Sequence, residues 1–220
     1  MNTIVMTGGT SGLGAVAAHT LAESGANRLL LGARGGVPDS LATRTDVEVL
    51  ALDLASLDSV RRFAERVSAR IERIDALVLN AGVTRADVDR RTLDGFETTF
   101  AINHLGHHLM LRLLLDRLAD GARVVLTTSG AHDPAERTRF APPRHADARL
   151  LAHPELDPNL DRDALTAGGR AYAASKLCSI LTARALTAQP QARARGLTVI
   201  AYCPGETPGT GVARQLPQLP

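Results

Sequence analysis

Tyr172-Ala173-Ala174-Ser175-Lys176 sets a phenol and an ammonium four residues apart, on one face of any helix that carries them. Such a pair suits proton transfer coupled to reduction of a carbonyl or oxidation of an alcohol. A free phenol, with a pKa of about 10, is a poor base at neutral pH. Lowering it by about two or three units takes roughly 3–4 kcal/mol. A cation about 4 Å away at an effective dielectric of about 20 supplies an energy of that order. Lys176 is the single lysine among 25 basic side chains, the rest being arginine. A compact ammonium on a four-carbon stem reaches a tyrosine and a ribose hydroxyl together, a shape that a guanidinium does not match.

A second chemical feature lies near the start, in Thr7-Gly8-Gly9-Thr10-Ser11-Gly12-Leu13-Gly14. Glycines at 8, 12 and 14, after a short apolar run and before a helical pattern, permit a tight bend and close approach of a pyrophosphate. The helix start adds free N–H groups and the positive end of its dipole. The stretch Gly8, Thr10, Ser11, Gly12, Leu13 and Gly14 is therefore the candidate dinucleotide cradle. A triphosphatase phosphate loop would need Gly-Lys-Ser/Thr, and no lysine occurs there; a hydrolase elbow G-x-S-x-G fails at Leu13.

Cofactor choice turns on the end of the second strand. An acidic residue there would grip a ribose 2′-hydroxyl, but the sequence reads Leu31-Gly32-Ala33-Arg34-Gly35. The planar fork of Arg34 pairs with a 2′-phosphate, which selects NADP(H) over NAD. Asp53-Leu54, after the third strand, places a carboxylate toward the adenine amino group. Asn80-Ala81-Gly82, after the fourth, puts another turn at the same sheet edge, where open α/β sheets bind ligands.

These residues need elements to hold them, and short β-rich runs alternating with helical patterns provide them. Strands are expected at 4–7, 28–32, 47–53, 74–79, 124–128 and 197–202. Helices are expected from Leu13 to Glu23, from a cap at Ser56 or Asp58 to about Glu72, from Phe96 to Leu118 and from Ala171 to Thr187. Between 130 and 169 periodicity fades into a stretch rich in Pro, His, Asp and Arg. A loop of that length inside a compact domain, placed between candidate catalytic residues, reads as a substrate-side insert. The 220 residues, 45% hydrophobic and 22% charged, suit one domain over 1–220. A net charge of +2 points to no nucleic-acid or membrane partner.

Gly8/Gly12/Gly14, Asn80-Ala81-Gly82, Asn103, Ser129, Tyr172/Lys176 and Pro204-Gly205 occur in the order seen in the short-chain dehydrogenase/reductase family, and the chain resembles that family from residue 3 to about 212. The resemblance implies a Rossmann-type, doubly wound parallel sheet in a three-layer α/β/α arrangement. By that resemblance Ser129 holds the substrate oxygen and Asn103 holds a water in the proton relay behind Lys176. Pro204, Gly205 and Thr207 lie near the nicotinamide amide. Ala33-Arg34, the run Tyr172 to Cys178 and the long insert look most like the retinol-dehydrogenase and protochlorophyllide-reductase-like branch.

The implied activity is hydride transfer between NADP(H) and a carbonyl or alcohol substrate, bulky and hydrophobic if the insert and long apolar helix line its site. The family's sheet has a seventh strand, but here only 15 residues follow Gly205, so that strand is expected to be missing. The shortened end leaves a second reading open, a dinucleotide-binding module without turnover, either a remnant or a redox sensor. Absence of a signal sequence points to the cytoplasm. Cys178 and Cys203 read as two buried thiols, and His104, His107 and His108 as partly exposed residues at a helix start, with no metal site. A homo-oligomer is compatible with the helices around Leu111 and Leu181.

Overall fold

A computed structural model describes residues 1–205 except Val37, Asp39 and Ser40. Six strands form one parallel sheet: β1 (Asn2–Thr7), β2 (Asn27–Ala33), β3 (Val47–Ala51), β4 (Ile74–Leu79), β5 (Leu118–Thr127) and β6 (Thr198–Tyr202). Their order is β3-β2-β1-β4-β5-β6, the doubly wound arrangement in which the chain reverses direction across the sheet beside β1 and β4. Both outer strands lie at open edges among the described residues, so no seventh strand pairs with β6.

Alternation along the central strands decides which helix covers which face. Val5 and Leu30 point to one side, into a cluster with Val60, Phe63, Met110 and Leu114. Ile4, Met6, Leu29 and Leu31 point to the other, against Ala18 and Ala22. The first face is covered by α2 (Leu57–Arg70) and α4 (Gly106–Leu114), the second by α1 (Gly12–Glu23). Ser56 caps α2 by accepting the Ser59 N–H at 3.2 Å. Gly25, at φ +64°, ends the turn after α1.

The expected long helix from Phe96 to Leu118 is interrupted. Buried Glu97 caps a short turn, α3 (Thr98–Phe100), accepting the Thr99 and Phe100 N–H groups at 2.7 Å each. A π turn follows over Ala101–Leu105, then α4, and a 3₁₀ turn over Leu115–Arg117. Gly106 explains the close fit at the end of the π turn, since a Cβ there would lie 2.8 Å from the Leu54 carbonyl. Strand β5 begins at Leu118, six residues before the expected start.

The insert is tied down by charge and short helices. α5 (Ala148–Ala152) and three 3₁₀ turns punctuate it, and Asp161 pairs with both Arg144 and Arg170. The Arg170 hydrogen bond holds the Asp161 carboxyl below its usual range. α6 (Ala164–Ala188) starts seven residues earlier than expected because Asp163 caps it, accepting the Thr166 N–H at 2.8 Å. α7 (Pro190–Ala194) leads into β6.

Candidate active site

All six strands run the same way, so the turns after their C-terminal ends share one cleft. It encloses about 480 Å³, within the roughly 300–1,000 Å³ usual for small-molecule sites.

The turn after β1 forms one wall. Gly8 and Gly12 adopt φ of +68° and +54°, the region that favours glycine. Gly14 is required by contact, because a Cβ there would lie 2.0 Å from the Gly8 carbonyl oxygen. Ser11 occupies the cap position of α1 but makes no side-chain cap bond. The first N–H groups of α1 thus lack a side-chain acceptor beside the cleft, as an anion-binding helix start requires. Thr10, Ser11 and Leu13 line the cleft with them.

Arg34 lies directly after β2 at the end of this wall, exposed and without an ion pair to any described residue. Asp53 and Leu54 line the cleft nearby. Asp53 is partly committed to its own turn, its Oδ1 accepting the Ala55 N–H at 3.0 Å. Asn80, Ala81 and Gly82 form the middle of the cleft. The Asn80 side chain, however, pins the sheet: Nδ2 donates to the Thr7 and Gly8 carbonyls at 3.3 Å each, and Oδ1 accepts from the Thr127 hydroxyl at 3.1 Å. Gly82 leaves room between Lys176 Nζ and Asn103 Oδ1, which a Cβ would approach to 3.3 and 3.4 Å.

α6 brings Tyr172 and Lys176 to the other end. Lys176 Nζ is buried and donates to the Thr127 carbonyl at 3.0 Å; burial pushes its pKa down to about 8. Tyr172 is also buried, and burial raises its pKa above the ordinary phenol value. The Ser129 hydroxyl, in the turn after β5, hydrogen-bonds the phenol and pulls the other way. The expected lowering by Lys176 does not emerge in the protein by itself. Desolvation dominates, and the ammonium sits over the ring, 5.6 Å from its centroid. The long insert does not separate Ser129 from Tyr172 in space.

Asn103 lies inside the π turn, and its side chain is fully engaged. Oδ1 accepts the Val83 N–H at 2.8 Å, while Nδ2 donates to the Val83 carbonyl at 2.9 Å and to Ser175 Oγ at 3.0 Å. Its main-chain carbonyl is the other acceptor, and it lies 3.1 Å from His107 Nδ1. Pro204 and Gly205 line the cleft, and Thr207 lies outside the described residues.

Several participants escaped the sequence reading. Phe140, the lone aromatic residue of the insert, packs on Tyr172 with ring centroids 5.0 Å apart, in space that Gly169 leaves open. Ser175 donates to the Tyr172 carbonyl at 2.7 Å. His107, expected at a partly exposed position, is buried, because the π turn rotates it toward β1; burial drives its pKa down to about 3. Its spacing of one turn from Asn103 was the available signal. Cys203, expected to be buried, is exposed at the sheet edge, whereas Cys178 is buried as expected.

Comparison with known proteins follows this geometry closely. A family model described as short chain dehydrogenase matches residues 2–138. The chloroplastic protochlorophyllide reductase of Chlamydomonas reinhardtii is 34% identical over 229 residues, covering 97% of this chain and 57% of that protein. Dehydrogenase/reductase SDR family member 13 of Bos taurus is 35% identical, covering 98% of this chain and 54% of that one. The chain thus spans somewhat more than half the length of these relatives. An uncharacterised protein from Mycobacterium Paratuberculosis shares the structure with a TM-score of 0.71 at 33% identity, over 100% of this chain and 78% of that one. An alcohol dehydrogenase from Thermococcus sibiricus, solved with 5-hydroxy-NADP, shares the fold with a TM-score of 0.68 at 23% identity, over 100% of this chain and 82% of that one. With the glycine turn and the tyrosine–lysine helix at opposite ends of one cleft, and relatives this similar over nearly its whole length, the chain belongs to the short-chain dehydrogenase family.

Proposed function

We propose that this chain is an NADP-dependent oxidoreductase that moves a hydride between the cofactor and a carbonyl or alcohol carbon, with Tyr172 as its acid/base. One observation carries the reading. Tyr172, Ser129 and Lys176 meet at one end of a cleft whose other end holds the glycine turn and Arg34. The residues fit a dinucleotide: Gly14 has no room for a side chain, the start of α1 is uncapped by Ser11, and Arg34 has no carboxylate partner among the described residues. When bound, the cofactor supplies the hydride.

The chain's own residues supply the rest. Ser129 and Tyr172 present two hydroxyls from which a substrate oxygen accepts hydrogen bonds. Burial holds Tyr172 as a phenol, so it donates its proton to that oxygen as negative charge develops there. Lys176, anchored on the Thr127 carbonyl, places a positive charge beneath the phenol ring and stabilises the phenolate that results. A protonated donor of this kind serves reduction of a carbonyl or of an activated carbon–carbon double bond. Phe140 packs its ring on Tyr172, and an apolar neighbour at the acid/base suits a bulky hydrophobic substrate.

Titration with NADPH and NADH, followed by nicotinamide fluorescence, tests the cofactor reading; the chain has no tryptophan to add background. NADPH is expected to bind more tightly, and equal affinity would defeat the role of Arg34. Tyr172→Phe is expected to abolish turnover in a carbonyl screen while retaining NADPH binding. With no strand paired to the outer edge of β6 among the described residues, a second reading is a dinucleotide-binding module without turnover. NADPH binding with no turnover of any carbonyl would select it.

A further inference from the structure

His107 lies beneath the cleft, between its two ends, and its hydrogen bonds determine where its proton sits. The Thr7 hydroxyl accepts two backbone donors, the N–H of Asn80 at 3.0 Å and that of Ala81 at 3.1 Å. A hydroxyl has one proton to give. At Thr7 that proton has one further partner, His107 Nε2, at 2.9 Å. Nε2 is therefore the bare nitrogen, and Nδ1 carries the ring proton. Nδ1–H donates to the Asn103 carbonyl at 3.1 Å.

We propose that His107 is a positioning residue that ties the cofactor turn to the catalytic helix through one neutral imidazole. The proposal rests on the reading of Tyr172 and Lys176 as the acid/base pair. On one side His107 holds Thr7, the last residue of β1, which in turn holds the start of the Asn80-Ala81-Gly82 turn. On the other side it holds the Asn103 main chain within the π turn, and π turns commonly mark functional positions. Asn103 then bonds Ser175 Oγ, and Ser175 bonds the Tyr172 carbonyl. A series of hydrogen bonds running through the Asn103 residue thus joins the end of β1 to the turn of α6 that carries Tyr172 and Lys176.

The choice of residue follows from charge. The link needs a donor on one side and an acceptor on the other. Lysine or arginine would offer only donors and would place a second cation near Lys176. Burial disfavours protonation of His107 most, and the Lys176 charge acts in the same direction, against the hydrogen bond to the Asn103 carbonyl. Glutamine retains a donor and an acceptor, whereas leucine retains neither.

The single lysine makes the test direct. Full-length chain labelled with ¹⁵N,¹³C-lysine gives one side-chain signal, and its titration reads Lys176 without cofactor or substrate. The unaltered protein should titrate near pH 8. His107→Leu is expected to move that midpoint by about half a unit or more. It should also weaken NADPH binding about fivefold, the scale of one neutral hydrogen bond. His107→Gln should restore both. In the unaltered protein, imidazole ¹⁵N shifts should show Nδ1 protonated and Nε2 bare from pH 8 to 5, a measurement that stands even if His107→Leu fails to fold. An Nε2–H tautomer would overturn the proposal, as would a folded His107→Leu with an unchanged Lys176 midpoint. The functional reading fails on a different result, absence of NADPH binding by the unaltered chain.

Discussion

Tyr172 has two unlike neighbours, the Phe140 ring and the Lys176 ammonium. The aromatic neighbour excludes water and helps keep the phenol protonated. Phe140→Ala is therefore expected to lower the Tyr172 pKa toward the ordinary value near 10. The chain has two tyrosines, so tyrosinate absorbance read as a difference against Tyr172→Phe isolates the step. An unchanged step would mean that the Phe140 contact does not control solvation of the phenol. At the other end of the cleft, Arg34→Ala removes a charged donor to a 2′-phosphate. Such a bond contributes about 1.5–3 kcal/mol, so NADPH affinity should fall roughly 10- to 100-fold while NADH affinity holds. Parallel loss of both would assign Arg34 to the turn's structure instead.

The elements explain which residues could be read from sequence and which could not. Strands β1, β2 and β4 declare themselves because both faces are buried, which leaves short unbroken apolar runs between turn residues. The glycine turn was legible because Gly14 is a steric requirement, and Lys176 because it is alone. The break between Phe96 and Leu118 was hidden, since a π turn keeps helical composition and shifts only the hydrogen-bond partner. That shift buries His107, so one unread element concealed one functional residue. Phe140 gave no periodic signal at all, as its place depends on contacts made by the insert after folding. Two glycine substitutions separate the kinds of constraint. Gly14→Ala is expected to abolish detectable NADPH binding, because the new Cβ would overlap the Gly8 carbonyl. Gly25→Ala meets open space and only backbone strain, so it should cost about 1–2 kcal/mol of stability and leave binding intact. Urea melts beside NADPH titrations check both.

For the molecule as a whole, stability and binding should be linked through pH and ligand. Burial lowers the His107 pKa to about 3 and that of His104 to about 4. Below about pH 6.5 the unfolded chain takes up protons that the folded chain refuses, so stability should fall as pH drops through that window. For His107 alone the full span amounts to roughly 5 kcal/mol. Urea midpoints between pH 7 and pH 4.5 should decline less steeply in His107→Gln; equal slopes would show that His107 is not the group responsible. Lys176 acts at the alkaline end, where stability should rise from about pH 8 toward 10.5 as the unfolded chain keeps a proton that the buried amine has lost. NADPH at about 100 times its dissociation constant should add about 2.7 kcal/mol and raise the melting temperature by roughly 5–10 °C. No shift at that concentration would contradict specific binding to the folded state.

The buried position of Lys176 has a practical corollary. With no other lysine in the sequence, no lysine side chain lies open on the surface. Activated esters should therefore leave the outer surface free of lysine adducts. Acylation of Lys176 under the same conditions would record a small electrophile entering the cleft, which turns an ordinary amine-coupling reaction into a measure of access to the site.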